Sequence, residues 1–486
     1  MANLRRSLII TFFSSSGTTA MKFVVSVLLA RILSPDEIGV YSMTIVFVNL
    51  AHVFRDFGVS NYLQREAELT HDKIRSATGV VFASSWIIAL GLYLSSEFLG
   101  DWFAEPEIVP VMQVLALGFA FIPFGSVTNS LLTREFAAKK QAYVNAASTI
   151  TFCAAALILA KMGFGAMSLA WANLINILTG VLCFIPLRPR GLPWLPSFSH
   201  WRDVARFGAG SLLSATIKAI NNAIPDVLLG KLGSAAQVGL LSRANSTVQI
   251  FIHVAGSTVS YGAVSYLGQA FHRGESLVPV LTRATVLLTG VGWSALALTS
   301  VLGKEIVLAL YGAAWLDAVP AILPLALAAA VMLAFHYIPL AVTAIGRPYL
   351  SAVPQLITLL ARICFGVAFW DGSLAGFSWA LCLATIVTVP AVAIQQSRCF
   401  GLGMGHLLRA LMPSALVALG SAGIGALLAA LLPDALAPLL RLLIMLPLLI
   451  AAWYLLLRLT RHELVGEVGR LAAPIMNRLG ILRPNR

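Results

Sequence analysis

Residues 29–66 read LARILSPDEIGVYSMTIVFVNLAHVFRDFGVSNYLQRE. A turn through Ser34, Pro35 and Asp36 opens an apolar run over 38–63, long enough as a helix to cross a hydrocarbon core of about 30 Å. The run is continuously apolar, without the strict alternation of a barrel strand. A helix satisfies its backbone polar groups within itself, as a bilayer demands. Similar runs recur at 7–33, 75–97, 108–131, 142–161, 165–186, 204–230, 236–268, 280–302, 317–345, 349–370, 374–396, 408–431 and 436–458. The pattern predicts an all-α integral membrane protein with about fourteen transmembrane helices.

Composition agrees. Of 486 residues, 59% are hydrophobic and only 11% charged, with a mean hydropathy of +0.87. A water-facing domain carries roughly a quarter of its residues as charges. The net charge of +13 sits mostly between spans, where it sets orientation and meets lipid headgroups, so nucleic acid is not an expected partner. Cys153, Cys183, Cys364 and Cys382 fall inside spans and Cys399 just beyond one. No CxxC or Cys/His cluster accompanies them, so neither a metal site nor a disulfide framework is expected. Arg5 and Arg6 precede an apolar run too long for a signal peptide and interrupted by Lys22, which reads as a retained first helix.

Loop charges give the topology. Arg65, Lys73 and Arg75, then Arg134, Lys139 and Lys140, then Arg188, Arg190, Arg202 and Arg206, and later Arg273, Arg347 and Arg398 all fall in even-numbered gaps. The tail after the last span is also basic. The opposite gaps hold Glu97, Asp101, Glu105, Glu107, Asp371 and Asp434 with few basic residues. The asymmetry supports cytoplasmic placement of both termini of a multi-pass membrane protein.

Residues 229–242, LGKLGSAAQVGLLS, repeat 29–42, LARILSPDEIGVYS, at an offset of 200. Leu29/Leu229, Ser34/Ser234, Gly39/Gly239 and Ser42/Ser242 are identical, and Arg31 matches Lys231. Six spans separate the copies, so both have one membrane orientation: a parallel repeat, as many transporters have. The expected domains are a six-helix bundle at 1–190, a second at 191–400, and two peripheral helices with a basic tail at 401–486. The linker between bundles is rich in Pro and Trp, including Pro193 and Trp194.

No P-loop, HExxH, GxSxG or paired-carboxylate motif is present, so no catalytic residue and no enzyme activity are assigned. The informative residues are charges inside spans, which cost about 2.5–3.5 kcal/mol each on insertion scales and line wet cavities or pair with partners. Lys22 lies in the first span, Arg55 and Asp56 in the second, Lys218 and Asp226 in the seventh, Arg243 in the eighth and Arg362 in the eleventh. Asn221 and Asn222 follow Lys218 by one turn and suit sugar hydroxyls or each other. Each charge also has a structural reading: Lys22 and Arg243 snorkelling to an interface, Arg55 pairing with Asp56. His52 and His253 occupy nearly equivalent places in the two halves and read as packed residues. Together the set is more cationic than acidic, which fits an anionic cargo carried in a cavity between the halves.

The stretches 29–66, LLTREFAAKKQAYVN (131–145) and WRDVARFGAGSLLSATIKAINNAIPDVLLGKLGSAAQVGLLSRA (201–244) resemble bacterial polysaccharide and O-antigen flippases of the multidrug/oligosaccharidyl-lipid/polysaccharide exporter superfamily. Leu241 departs from the pattern, which often has Tyr there. The resemblance implies two six-helix bundles plus two extra helices. It implies flipping of undecaprenyl-pyrophosphate-linked oligosaccharide by alternating access, driven by membrane potential or a proton or sodium gradient, without another cofactor. It implies substrate binding by Lys22, Arg55, Lys218, Arg243 and Arg362, and Asp56 and Asp226 are candidates for ion coupling. Implied partners are that lipid-linked sugar, membrane lipids, and the polymerase and glycosyltransferases of a polysaccharide pathway. Two alternatives stand beside it: an ion-coupled multidrug or metabolite antiporter, which wants acids in the cavity, and a membrane-embedded polymerase or ligase, which wants a large external loop.

Overall fold

The computed structural model describes residues 2–56, 58–66, 68–189, 196–199, 201–260, 267, 269–271, 273–433 and 435–467. Pro193, Trp194, Asp434 and the basic tail from 468 lie outside the described residues, as do the side chains of Arg202, Arg206 and His253. Among the described residues, regular structure is entirely helical. The chain forms two compact units, Met1–Leu240 and Leu241–Arg486.

The first unit holds α1 (Ala2–Ala30), α2 (Pro35–Asp56), α3 (Val59–Arg65), α4 (His71–Phe103), α5 (Ile108–Phe121), α6 (Pro123–Arg134), α7 (Ala138–Lys161), α8 (Ala166–Phe184), α9 (Trp201–Leu232) and the start of α10 (Ala235–Ser260). α4 packs on α5, α7 on α8 and α1, α5 on α8, and α9 against α2 and α4. Met43, Phe119, Leu132 and Leu229 are sealed in its interior. The second unit continues with α11 (Val278–Val301), α12 (Gly303–Leu310), α13 (Val319–Ala334), α14 (Ile338–Ala344), α15 (Ala352–Ala368), α16 (Leu374–Phe400), α17 (Met404–Leu431) and α18 (Pro438–Leu459). There α11 packs along α17 and α13, α16 against α13 and α15, and α18 against α17 and α12.

Ten of the described segments are long and apolar enough to span a membrane, and the bent pair α5–α6 makes up to eleven. α1, α9 and α10 have 29, 32 and 26 residues, which also exceeds the roughly 20 that a crossing needs. Their polar residues dilute the apolar signal: Ser14 to Ser16 in α1, Asn221 and Asn222 in α9, Arg243 and Asn245 in α10. With these three, the helices accommodate the expected fourteen spans. Outward faces are apolar, Ile87, Leu419 and Leu459 each being 71% exposed, a surface suited to lipid.

Two local rules place the helix starts at the repeated segment. Ser34 caps α2: the Glu37 amide donates to Ser34 Oγ (3.2 Å) and the Ser34 amide to Glu37 Oε2 (2.8 Å). This is a capping box, with Pro35 at the first helical position where its missing N–H costs nothing. The second copy has the same residue pattern, Ser234 and Gln237, and the Gln237 amide donates to Ser234 Oγ (3.3 Å).

Several spans are broken, contrary to the continuous runs expected from hydropathy. The second stops at Asp56 and resumes at Val59, because Gly58 adopts φ 72°, open to glycine at little cost. The fourth bends by 55° between α5 and α6. Pro123 lies there and removes a backbone donor, freeing the carbonyl one turn earlier. The tenth breaks between Ala334 and Ile338.

Both bent regions are buttressed alike. Trp86 Nε1 on α4 donates to the Ala120 carbonyl (3.3 Å), and Trp293 Nε1 on α11 donates to the Ala330 carbonyl (2.8 Å). Downstream, Phe136 (φ 53°) and Gly346 (φ 77°) turn the chain with matching bonds, from 136 to Thr133 and 346 to Thr343, each 3.1 or 3.0 Å. The hydroxyls of Thr133 and Thr343 each reach the carbonyl four residues back. From Ala120 to Phe136 and from Ala330 to Gly346, these features keep one offset of 210. The repeat therefore extends well beyond the segment legible in sequence.

Candidate functional site

In the first unit, α1 carries a polar stripe. Ser15, Thr19 and Lys22, spaced by four and three residues, share one face and are all exposed. A Cβ added at Gly17 would meet no atom within 4 Å, so this stretch is open. The stripe is too polar to face hydrocarbon. Sequence reasoning singles out only Lys22; Ser15 and Thr19 are legible at helical spacing but merge into an apolar run.

Arg55 sits half-buried in the last turn of α2, where a cation favours the helix dipole. The Ser84 hydroxyl donates to its carbonyl (3.0 Å). One turn earlier, His52 stacks on Phe119 of α5 with centroids 4.6 Å apart. Asp56 takes another partner: its Oδ1 accepts from Ser60 Oγ (2.8 Å), which in turn accepts from Ser130 Oγ of α6 (3.2 Å). The Asp56 carboxylate thus ties the broken second span to the bent fourth. It forms no ion pair within 4 Å with its neighbour Arg55.

On α9, Lys218, Asn222 and Asp226 recur every four residues and form a stripe, with Lys218 and Asn222 exposed and Asp226 half-buried. Asn221 points the other way and is 7% exposed. Pro225 lies inside α9 and has no N–H for the Asn221 carbonyl, which adds a backbone acceptor at this point. Among the described residues, no carboxylate lies within 4 Å of Lys22, Arg55 or Lys218.

In the second unit, the Arg243 guanidinium of α10 lies over the Tyr311 ring, 5.9 Å from its centroid, a cation–π arrangement. Thr247 Oγ1 is 2.9 Å from the Arg243 carbonyl and 3.3 Å from the Tyr311 hydroxyl. Arg362 is half-buried on α15, on a stripe with Gln355 and Thr358. Thr358 hydrogen-bonds Thr388 of α16 (2.9 Å). Among the described residues, no group of three or more His, Cys, Asp or Glu has the arrangement of a metal site.

Residues 28–320 match the family described as "Polysaccharide biosynthesis protein". The chain belongs to that family. Among curated relatives of this polysaccharide biosynthesis protein, the succinoglycan biosynthesis transport protein ExoT of Rhizobium meliloti (strain 1021) is 26% identical over 387 residues, 77% of this chain and 76% of that one. The lipopolysaccharide biosynthesis protein WzxC of Escherichia coli (strain K12) is 23% identical over 216 residues, 43% of each chain. The teichuronic acid biosynthesis protein TuaB of Bacillus subtilis (strain 168) is 22% identical over 391 residues, 78% of this chain and 79% of that one. In fold, the family member is similar to the lipid II flippase MurJ in an inward closed conformation: TM-score 0.77, 14% identity, 94% of this chain and all of that chain. It is also similar to an inward-facing multidrug resistance MATE family transporter: TM-score 0.63, 14% identity, 81% and 96% covered.

Proposed function

We propose that this protein flips polyprenyl-pyrophosphate-linked oligosaccharides from the cytoplasmic to the external leaflet of the bacterial inner membrane, for export of a polysaccharide. The observation that carries this reading is the pair of span cations Lys22 and Lys218, held without a carboxylate within 4 Å among the described residues, with Arg55 beside Asp56 but beyond ion-pair distance. A cation kept in a membrane span without an internal counter-ion is stabilised by an anionic visitor, and a pyrophosphate concentrates negative charge. Polar faces on α1 and α9 suit the hydroxyls of sugars. The names of the curated relatives support the same role, and the MurJ-like fold is compatible with it.

In this reading both termini are cytoplasmic, and the chain is a transporter rather than an enzyme. Two six-helix bundles, 1–190 and 191–400, alternate access to the cargo, while 401–486 adds two helices and a basic tail. Coupling is to membrane potential or to a proton or sodium gradient, with Asp226 the more available of the two acids because Asp56 is engaged by Ser60. The polymerase and glycosyltransferases of the pathway are functional partners.

Replacing Lys218 and Arg362 together with alanine is expected to abolish polysaccharide export while leaving the protein at its normal level in the membrane. Export at the unmodified rate in that variant would remove the electrostatic basis of the proposal.

A further inference from the structure

On the outward face of the first unit, α4, α5 and the start of α8 enclose a crevice of about 500 Å³. Ligand pockets measure roughly 300–1,000 Å³. Leu90 and Tyr93 of α4, Gln113, Leu117 and Ala120 of α5, and Met167 of α8 are among its walls, which are almost wholly apolar. It opens into the lipid-facing surface: Leu90 and Tyr93 are more than half exposed, as are their neighbours Ile87, Leu94 and Phe98. An unfilled crevice leaves its lining without contact partners on one side. In a bilayer, the group that reaches it sideways is a hydrocarbon chain.

The length of the crevice matches one leaflet. From Pro110 to Ala120, α5 rises about 15 Å, half of a hydrocarbon core of about 30 Å. The crevice ends at the bend of the fourth span, where the Ala120 carbonyl accepts from Trp86 Nε1 (3.3 Å) and Pro123 opens α6. Its other end lies at the starts of α5 and α8. With a cytoplasmic N-terminus, that end faces the external side, and the leaflet is the outer one.

The outer end is acidic on two walls. On α4, Leu90, Tyr93, Glu97 and Asp101 follow one another by three or four residues, so the stripe that lines the crevice continues into two carboxylates. On α5, Glu107 precedes Pro110 by one turn. All three acids are exposed, and none has an ion pair within 4 Å among the described residues. Two lysines lie toward this end. Lys231 is engaged: its Nζ donates to the Trp102 carbonyl (2.6 Å) and lies 5.5 Å from the Trp102 ring centroid. Lys161, exposed at the end of α7 and six residues before Met167, is left for a phosphate. Between surface and interior, the half-buried Gln113 places Nε2 3.5 Å from Ser96 Oγ and keeps a second N–H for a glycerol ester. A chain gains little by leaving other chains, which are as apolar as the crevice. Selection therefore comes from the polar end, where carboxylates attract an ammonium and repel a pyrophosphate.

We propose that this crevice binds a phospholipid of the outer leaflet, with one acyl chain between α4 and α5 and an ammonium-bearing headgroup at Glu97, Asp101 and Glu107. The site is separate from the cargo path; it rests on the cytoplasmic N-terminus of the functional reading and not on the nature of the cargo.

The test uses the full-length protein, its five native cysteines replaced by alanine, in phospholipid nanodiscs. A bimane on the thiol introduced by Leu94→Cys, beside the crevice, reports quenching by phospholipids brominated on one chain. Phosphatidylethanolamine is expected to quench at about two- to fivefold lower mole fraction than phosphatidylglycerol, the selectivity of one exposed ion pair or two. The same label at Leu419→Cys, on the lipid face of α17, is expected to show no preference. Glu97→Gln, Asp101→Asn and Glu107→Gln together are expected to bring the two lipids to parity at unchanged protein level. Val114→Trp, which fills the crevice, is expected to weaken quenching by both. Equal quenching in the parent protein, a preference that survives the triple substitution, or quenching untouched by Val114→Trp would overturn the proposal. Stronger quenching by a brominated polyprenyl phosphate would give the crevice to the cargo tail and overturn it too. An impermeant maleimide is expected to label Glu107→Cys in intact spheroplasts; labelling only after lysis would refute the topology and the leaflet assignment with it. Export is not among these readouts: a protein that binds lipid as described yet never restores export to a strain lacking it would refute the flippase reading instead.

Discussion

Replacing Arg441 tests how the last span is fastened. Arg441 is 9% exposed and lies one turn into α18. It donates through Nη2 to the carbonyls of Ala429 and Leu432 (the latter 3.1 Å) at the end of α17, and Nη1 lies 3.7 Å from Glu305 of α12. One guanidinium thus caps one helix and neutralises an acid on another. Arg441→Met leaves Glu305 without this partner and removes a donor from both carbonyls. Breaking a buried ion pair from one side costs about 3–5 kcal/mol. Glu305→Gln is milder, at about 1 kcal/mol, because Arg441 keeps its carbonyl partners. In the double variant no charge is left stranded, so its loss is expected to fall below the sum of the two single losses by about 1–3 kcal/mol. Equilibrium unfolding in mixed micelles, followed by Trp fluorescence, gives all four corners of the cycle. A loss below about 1 kcal/mol for Arg441→Met, or strict additivity in the double variant, would show that these contacts do not hold α18 in place.

Three further outcomes are expected. His462, just beyond α18, is 3% exposed; its Nδ1 accepts from the Leu464 amide (3.1 Å) and its Nε2 meets Ser414 Oγ (2.9 Å). Burial lowers its pKa below the ordinary 6.5, so the unfolded segment takes up a proton first. The attachment of 460–467 is therefore complete above pH 6.5 and is lost as pH falls through the folded value; amide protection factors, taken relative to the intrinsic exchange rate at each pH, should fall on acidification, and pH-independent protection would contradict this. Trp293→Phe should cost about 1 kcal/mol in thermal unfolding and Trp86→Phe less, since the bond at Trp293 is shorter and that at Trp86 lies on an exposed side chain. Ser15→Leu with Thr19→Leu, which turns the α1 stripe apolar, should lower export at normal protein level; undiminished export would show that this face meets lipid.

Hydropathy made the spans readable because a bilayer permits few ways to cross it. It could not show the breaks. The opening at Gly58 depends on the sign of one φ angle, and an apolar average does not register it. The offset-200 repeat was visible because glycine and serine are irreplaceable there, one for approach and one for capping. The offset-210 repeat was hidden because its acceptors, at Ala120 and Ala330, are carbonyls, which any residue supplies. Among the candidate site residues, sequence located the charges but not their orientation. Asn221 and Asn222 are neighbours in the chain, yet one is buried and the other exposed. Asp56 beside Arg55 could be read as its partner or as a coupling acid, and sequence did not show that its carboxylate accepts from Ser60.

Where the first turns of α2 and α10 cross, a Cβ at Gly39 would overlap the Ala235 carbonyl and one at Gly239 the Pro35 carbonyl. This reciprocity, 39 with 235 and 239 with 35, follows the rule of an isologous dimer, in which residue i of one subunit meets j of its twin and j meets i. Here both twins share one polypeptide. Symmetry no longer forces every change to occur twice, and the neighbours have diverged: Arg31 against Lys231, Glu37 against Gln237, Tyr41 against Leu241. The two glycines have not, because each is kept small by the other copy's main chain.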